Sequence, residues 1–322
     1  MPLPLPDDLA SLHPETQALL LAEAKSDQIS YEDAATVEEA RILVEGDDPL
    51  DSDGYVYQFR GERLEYTVPS TQGEADLPVW VYRPVPCPPK PTILVYFHGG
   101  GFVIGNRKTH EIGVKILTDL AACIMVSVEY RRAPEHKFPA AFDDAETAVK
   151  WVFANKELIG GSKDSKVGVM GDSAGGNLSA SLAHDIPGLA LQILICPVTD
   201  WRGGTESYKK FATGYFMSAK QMEWFANHTF NSVSERSHPL ASPLLREKFN
   251  HLPPALYIAA SHDVLIDEGM AYAKKLKDAG VPVEVLCLQG VTHVFFNLPG
   301  IFKENHKLAC EKIKQFISTY GQ

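Results

Sequence analysis

Val167-Gly168-Val169-Met170-Gly171-Asp172-Ser173-Ala174-Gly175 leads from a short apolar run into a glycine-flanked serine, and Leu178, Ala180 and Leu182 follow at helix-compatible positions. A strand, then G-x-S-x-G, then a helix predicts a nucleophile elbow. The chain must reverse within a few residues there. Ser173 is then expected in a strained backbone conformation that lifts its hydroxyl out of the turn. The residues two before and two after it nearly touch, so Gly171 and Gly175 fit where larger side chains would not.

Outward from this elbow, short apolar runs recur at Tyr55–Phe59, Leu64–Val68, Val79–Tyr82, Ile93–Phe97, Cys123–Val128, Leu191–Cys196, Leu256–Ala260 and Val283–Leu288. The early ones alternate, as half-buried antiparallel strands do; the later ones are nearly continuous, as strands covered on both faces are. Helix-period segments separate the later runs. One starts at Pro139 with Ala145, Ala148, Val149, Val152 and Phe153 on one face. Another spans Asp267–Ala279 and stops at Gly280, with Pro282 beyond. This alternation predicts an α/β fold: an open, mostly parallel sheet with helices on both faces and antiparallel strands at one edge.

Two stretches stand apart. Residues 1–50 read as helical and polar-rich, with Thr36 and Glu39 as a capping box ahead of Ala40, Leu43 and Val44. The acidic stretch 47–54 then breaks the helix. It lacks calcium-loop register, because Pro49 and Arg60 fall where the first and last carboxylate ligands belong. The stretch between Cys196 and Leu256 is too long for one crossover. It carries Tyr215, Phe216 and Met217, a capping box at Ser218 and Gln221, then Met222, Trp224, Phe225 and Phe230. Its place over the strand ends predicts a lid or acyl-pocket role.

The 322 residues suffice for one large core, with 45% apolar and 22% charged residues, an ordinary globular balance. The 30 Lys+Arg against 41 Asp+Glu give −11, a balance that repels phosphate backbones, so nucleic acid is not an expected partner. No apolar run approaches the roughly 18 residues of a membrane span, and MPLPLPDDLA has no basic segment leading into an apolar one, so neither a membrane nor a secretory signal is expected. The five cysteines form no C-x-x-C pair; buried free thiols in a reducing, cytoplasmic setting are the expectation.

His98-Gly99-Gly100-Gly101 follows the strand Thr92–Phe97. Consecutive glycines let backbone N–H groups turn toward a ligand, and together with the N–H of Ala174 they suit an oxyanion hole. The spacing through Gly105 does not match a dinucleotide fingerprint. A serine nucleophile needs a base. Where the chain order is serine, acid, histidine, His293 in the loop after the last strand and His306 in a helical pattern are the options. His293 is preferred, because a surface histidine explains His306. For the acid, Asp263 and Asp200 both follow strands, and Asp263 is preferred for lying one strand from His293. Asp267 suits a helix start, and Asp172 a supporting role.

These motifs resemble the hormone-sensitive-lipase-like branch of the α/β hydrolases, a group of carboxylesterases, over residues 78–320. The likeness rests on His98–Gly101, on Tyr130-Arg131-Arg132-Ala133-Pro134-Glu135-His136 with Phe138-Pro139-Ala140-Ala141, on Gly171–Gly176, on Asp263–Gly269, and on His293-Val294-Phe295-Phe296. It implies an α/β-hydrolase fold with an eight-stranded, mostly parallel sheet in one domain over 1–322. Cap elements at about 1–50 and 198–250 would cover a core at about 55–197 and 251–322. It implies Ser173, Asp263 and His293 as catalytic triad and Gly100, Gly101 and Ala174 as oxyanion donors. Hydrolysis of a small ester would pass through an acyl-enzyme, with no metal or organic cofactor, and the resemblance allows a homodimer through the last strand. An amidase, or a non-catalytic small-molecule receptor, is the alternative. Phe102, Tyr215, Phe216, Trp224 and Phe225 are expected to line a pocket for short or medium acyl groups. Two departures stand out: Val264 replaces a usual proline, and Val294 a frequent glycine.

Overall fold

The computed structural model describes residues 4–26, 29–46, 55–69 and 76–322; the acidic stretch 47–54 lies outside them. Eight strands form one sheet: β1 (Glu62–Val68), β2 (Leu77–Arg83), β3 (Ile93–Phe97), β4 (Ile124–Val128), β5 (Val167–Asp172), β6 (Gln192–Ile195), β7 (Ala255–His262) and β8 (Val283–Thr292). Their spatial order is β1-β2-β4-β3-β5-β6-β7-β8. β2 pairs antiparallel with β1 and β4, and every other pairing is parallel.

The continuous apolar runs are explained by which face each residue serves. In β3, Ile93, Val95 and Phe97 join one core cluster while Leu94 and Tyr96 join another. β7 divides likewise, with Leu256, Ile258 and Ala260 on one side and Ala255, Tyr257 and Ala259 on the other. Successive side chains of a strand point to opposite faces, so a strand covered twice is apolar throughout. α3 (Glu111–Ala121) and α9 (Lys303–Tyr320) cover one face through Leu117, Ile313 and Phe316; α4 (Ala140–Ala154), α5 (Ala174–Asp185) and α8 (Ile266–Asp278) cover the other through Val149, Leu178 and Tyr272.

The remaining helices lie in the two segments outside the strand–helix alternation. α1 (Pro14–Glu23) and α2 (Val37–Glu45) come from the N-terminal segment, and α6 (Glu206–Lys210) and α7 (Ala219–Thr229) from the insertion between β6 and β7. Thr36 caps α2 by accepting from the Glu39 N–H, and Ser218 with Gln221 closes a full capping box on α7. The two segments meet where the Tyr31 ring packs on Trp224 and Phe225, with centroids 5.7 and 5.5 Å away. None of the described helices is long and apolar enough to cross a membrane.

Two expectations need correction. Tyr55–Phe59 is not a strand. It runs beside α3, with the Tyr57 hydroxyl donating to Asp119 at 2.9 Å and Val56 84% exposed, and the sheet edge is completed by β1 instead. His306 is not on the surface: it is 4% exposed and stacks on Phe296 with centroids 5.1 Å apart.

Candidate active site

β5 ends at Asp172 and α5 begins at Ala174, so Ser173 alone makes the reversal. It does so at φ 52° and ψ −118°, outside the ordinary allowed regions. The glycines permit it: a Cβ on Gly171 would sit 2.3 Å from the Gly175 carbonyl, and one on Gly175 only 1.9 Å from the Phe97 oxygen. The turn is pinned by the Ser173 N–H donating to Ile195 at 2.9 Å. The Ser173 hydroxyl has no hydrogen-bond partner among the described residues and lines a cavity that opens to solvent, about 700 Å³ with its mouth included.

Asp263 follows β7 and His293 follows β8, strands that are paired with each other. β8 runs past the expected Leu288 to Thr292, with a register shift opposite Ala260–His262, and this delivers His293 beside the acid. Its Nδ1 lies 2.7 Å from Asp263 Oδ2, both groups are buried, and His293 lines the same cavity as Ser173. Burial works against the imidazolium, but the charge and hydrogen bond of Asp263, aided by the Asp172 charge, outweigh it and raise the His293 pKa above its usual 6.5. The Leu265 N–H donates to the other oxygen, Asp263 Oδ1, at 3.0 Å and fixes the carboxylate.

The rival acids have other partners. Asp200 takes both oxygens to the Arg202 guanidinium, and Asp267 accepts from the Ser207 N–H at 2.8 Å near the start of α8. His306 is held well below the usual histidine range, at about 4, by burial.

Gly100, Gly101 and Phe102 all have positive φ, at 109°, 59° and 65°. The N–H groups of Gly100, Gly101 and Ala174 have no hydrogen-bond partner among the described residues. Ala174 is also the first residue of α5, where the helix end favours negative charge. Val103 and Ile104 N–H groups hold the turn through the Gly100 oxygen, each at 3.0 Å. His98 serves from below. It stacks on Tyr130 at 4.2 Å, and burial pushes its pKa down to about 4, so it is a neutral support.

Of the expected pocket residues, Phe216 and Phe225 line the cavity. Phe102, Tyr215 and Trp224 do not. Phe102 packs among Tyr130, Phe142 and Trp201; the Tyr215 hydroxyl donates to Asp8; Trp224 packs on His228 and Tyr31. Tyr31, Val44, Ile104, Met217, Val294 and Phe296 add to the apolar wall. A polar wall was not foreseen. Asp172 Oδ2 lies 3.3 Å from His110 Nε2 and 3.2 Å from Asn297 Nδ2, while its Oδ1 accepts from Tyr96. Burial works against this carboxylate, yet His110, Tyr96 and Asn297 hold its pKa at about 2. The partners sit far from Asp172 in the chain, so no local spacing marks them.

The pattern of the α/β hydrolase fold family matches residues 94–297, nearly two thirds of the chain. This chain is an α/β hydrolase. It belongs to the hormone-sensitive-lipase-like branch, as its motifs implied. The ethyl acetate hydrolase of Pseudomonas putida is 35% identical over 243 residues, covering 73% of this α/β hydrolase and 76% of that protein. The carboxylesterase NlhH of Mycobacterium tuberculosis shows the same identity and coverage. A thermostable esterase from Pseudomonas putida ECU1011 superposes with a TM-score of 0.88 at 30% identity, over 97% of this chain and 98% of that one.

Proposed function

We propose that this α/β hydrolase is a serine carboxylesterase acting on small esters through an acyl-enzyme on Ser173. One observation carries the reading: a buried histidine, held 2.7 Å from a buried carboxylate, shares a cavity with a strained, unpartnered serine hydroxyl. The relatives named as ester hydrolases support it. Ser173 Oγ attacks the ester carbonyl carbon as His293 Nε2 takes its proton. Asp263 holds the tautomer and stabilises the imidazolium. The N–H groups of Gly100, Gly101 and Ala174 receive the oxyanion, each donor contributing about 2.7–4 kcal/mol at the transition state. His293 then protonates the leaving alcohol, and water repeats the attack to free the acid. Ser173 Oγ has no hydrogen bond to His293 among the described residues, and such contacts tighten in the substrate complex.

The segments 4–46 and 198–250 would act as a cap, because Tyr31, Val44, Phe216, Met217 and Phe225 from them close the cavity. The aromatic side chains of Tyr31, Phe216, Phe225 and Phe296 along its wall support short to medium acyl chains. The outer edge of β8, with Val285 45% exposed, supports a homodimer, and the five free cysteines support a cytoplasmic setting. The test is a chain-length series of aryl esters with matched amides, run on wild type and Ser173→Ala. Short esters should be turned over and the variant should lose up to about 10⁶-fold in kcat. Faster turnover of the amides would make this an amidase, and undiminished activity in Ser173→Ala would remove the serine from the mechanism.

A further inference from the structure

Cys196 follows β6 at φ 41°, a left-handed conformation that a cysteine rarely adopts. The residue is 3% exposed, yet it lines the cavity with Ser173 and His293. No hydrolytic step uses a thiol there. Cys196 Sγ, a carboxylate oxygen of Asp263 and a ring nitrogen of His293 all lie within 4.8 Å of one another, and all three residues are buried. Strain held at a functional cavity is a reason to ask what the side chain does.

We propose that Cys196, Asp263 and His293 form an inhibitory binding site for one thiophilic divalent cation of the zinc class. A thiolate, an imidazole and a carboxylate are a borderline-soft donor set; magnesium and calcium prefer oxygen alone. Bonds of about 2.3 Å to sulfur and about 2.0–2.2 Å to nitrogen and oxygen place tetrahedral donors roughly 3.3–3.7 Å apart. The His293–Asp263 pair, now 2.7 Å apart, would open to that spacing, and Cys196 Sγ, within 4.8 Å of both residues' donors, would close to it. Cys196 and His293 both line the cavity, from which a fourth ligand would come.

The charges balance. The thiol releases its proton to water as the sulfur–metal bond forms, and the thiolate with the Asp263 carboxylate offsets the two positive charges. A neutral buried site results, whereas a lone buried thiolate would be costly. Metal at His293 Nδ1, the nitrogen facing Asp263, displaces that hydrogen bond and leaves the ring's single proton on Nε2. Nε2 then has no lone pair with which to take the Ser173 proton. Occupancy and hydrolysis therefore exclude each other. The inhibitory half rests on the esterase reading; the binding half does not.

The experiment titrates Co²⁺ into wild type, Cys196→Ser, Cys196→Ala, Cys310→Ser and Ser173→Ala, with circular dichroism confirming the fold of each. Cys310 is the control because its sulfur lies 3.6 Å from His306 Nδ1, another buried soft pair. Wild type should show a thiolate-to-cobalt charge-transfer band at one equivalent, displaced by Zn²⁺. Cys310→Ser and Ser173→Ala should keep the band, and both Cys196 variants should lose it. Absence of the band in wild type overturns the site even if the Cys196 variants fail to fold, as does its persistence in a folded Cys196 variant. Zn²⁺ should also abolish wild-type ester turnover, with recovery on EDTA. A band without loss of turnover overturns the inhibitory role, and retention of the band by Ser173→Ala keeps the binding result separate from the hydrolytic reading.

Discussion

Ser173, at φ 52°, and Gly101, at φ 59°, hold conformations that most residues avoid, and each does so beside the reaction cavity. Ala at position 101 would keep the unfavourable φ and drive its Cβ to 2.2 Å from the Phe225 ring. Overpacking and left-handed strain together cost about 2–4 kcal/mol. Urea unfolding of Gly101→Ala should show that loss, together with a fall in kcat. The base has its own signature. Imidazole accepts a proton only when neutral, and the His293 pKa is raised, so kcat/KM should climb with pH through a midpoint above 6.5. In Asp263→Asn burial prevails, so the midpoint should fall below about 6.5 while kcat drops by about 10⁴-fold. A pH–rate profile of both proteins checks the sign. The elbow could be read from sequence because its geometry dictates glycine at two fixed offsets. Nothing comparable announces that Asn297 and His110 reach Asp172, since those contacts exist only once distant loops converge.

Periodicity proved a good guide to elements and a poor one to their neighbours. The helix at Ala140–Ala154 and the capping box on α7 sit where the pattern placed them. Tyr55–Phe59 alternates like a strand but meets no strand, and pattern alone cannot supply a hydrogen-bonding neighbour. His306 has the opposite history: expected on the surface, it is stacked on Phe296 where α9 packs on α3 and the sheet. α7 joins the roof to the chemistry. Its Phe225 covers Gly101, and Thr229 Oγ1 donates to the Gly101 oxygen at 3.2 Å. Phe225→Ala should cost about 3–5 kcal/mol in unfolding free energy, and the space opened should move ester preference toward longer acyl chains. Thermal melts and the chain-length series read the two effects separately.

Across the whole molecule, several side chains tie the N-terminal segment to the rest of the fold: Glu45 pairs with Arg132, Glu15 accepts from Asn305, and Arg41 makes the widest set of contacts. Arg41 on α2 donates to the Val103 oxygen at 2.9 Å and the Ala133 oxygen at 2.8 Å, and forks onto Glu135. Its hydrogen bond is the largest influence holding the Glu135 pKa at about 2. Arg41→Ala leaves two carbonyl acceptors without that donor and loosens the part of the roof carrying Val44. KM for medium-chain esters should rise more than kcat falls, as steady-state kinetics would show. The mostly parallel sheet with its antiparallel edge follows from the strand–helix alternation; the packing of Tyr31 on Trp224 and Phe225 does not, because those residues meet only by long-range packing.

The His13 N–H donates to the Gly290 oxygen at 3.0 Å, three residues before His293, and a Cβ on Gly290 would meet His13 nitrogen at 2.4 Å. The N-terminal segment is thus a doorstop wedged against the loop that carries His293. A bulkier residue at position 290 would therefore push on the backbone of His13 and shift the loop that carries His293, whereas a change at Val44 on α2 would alter only the cavity wall.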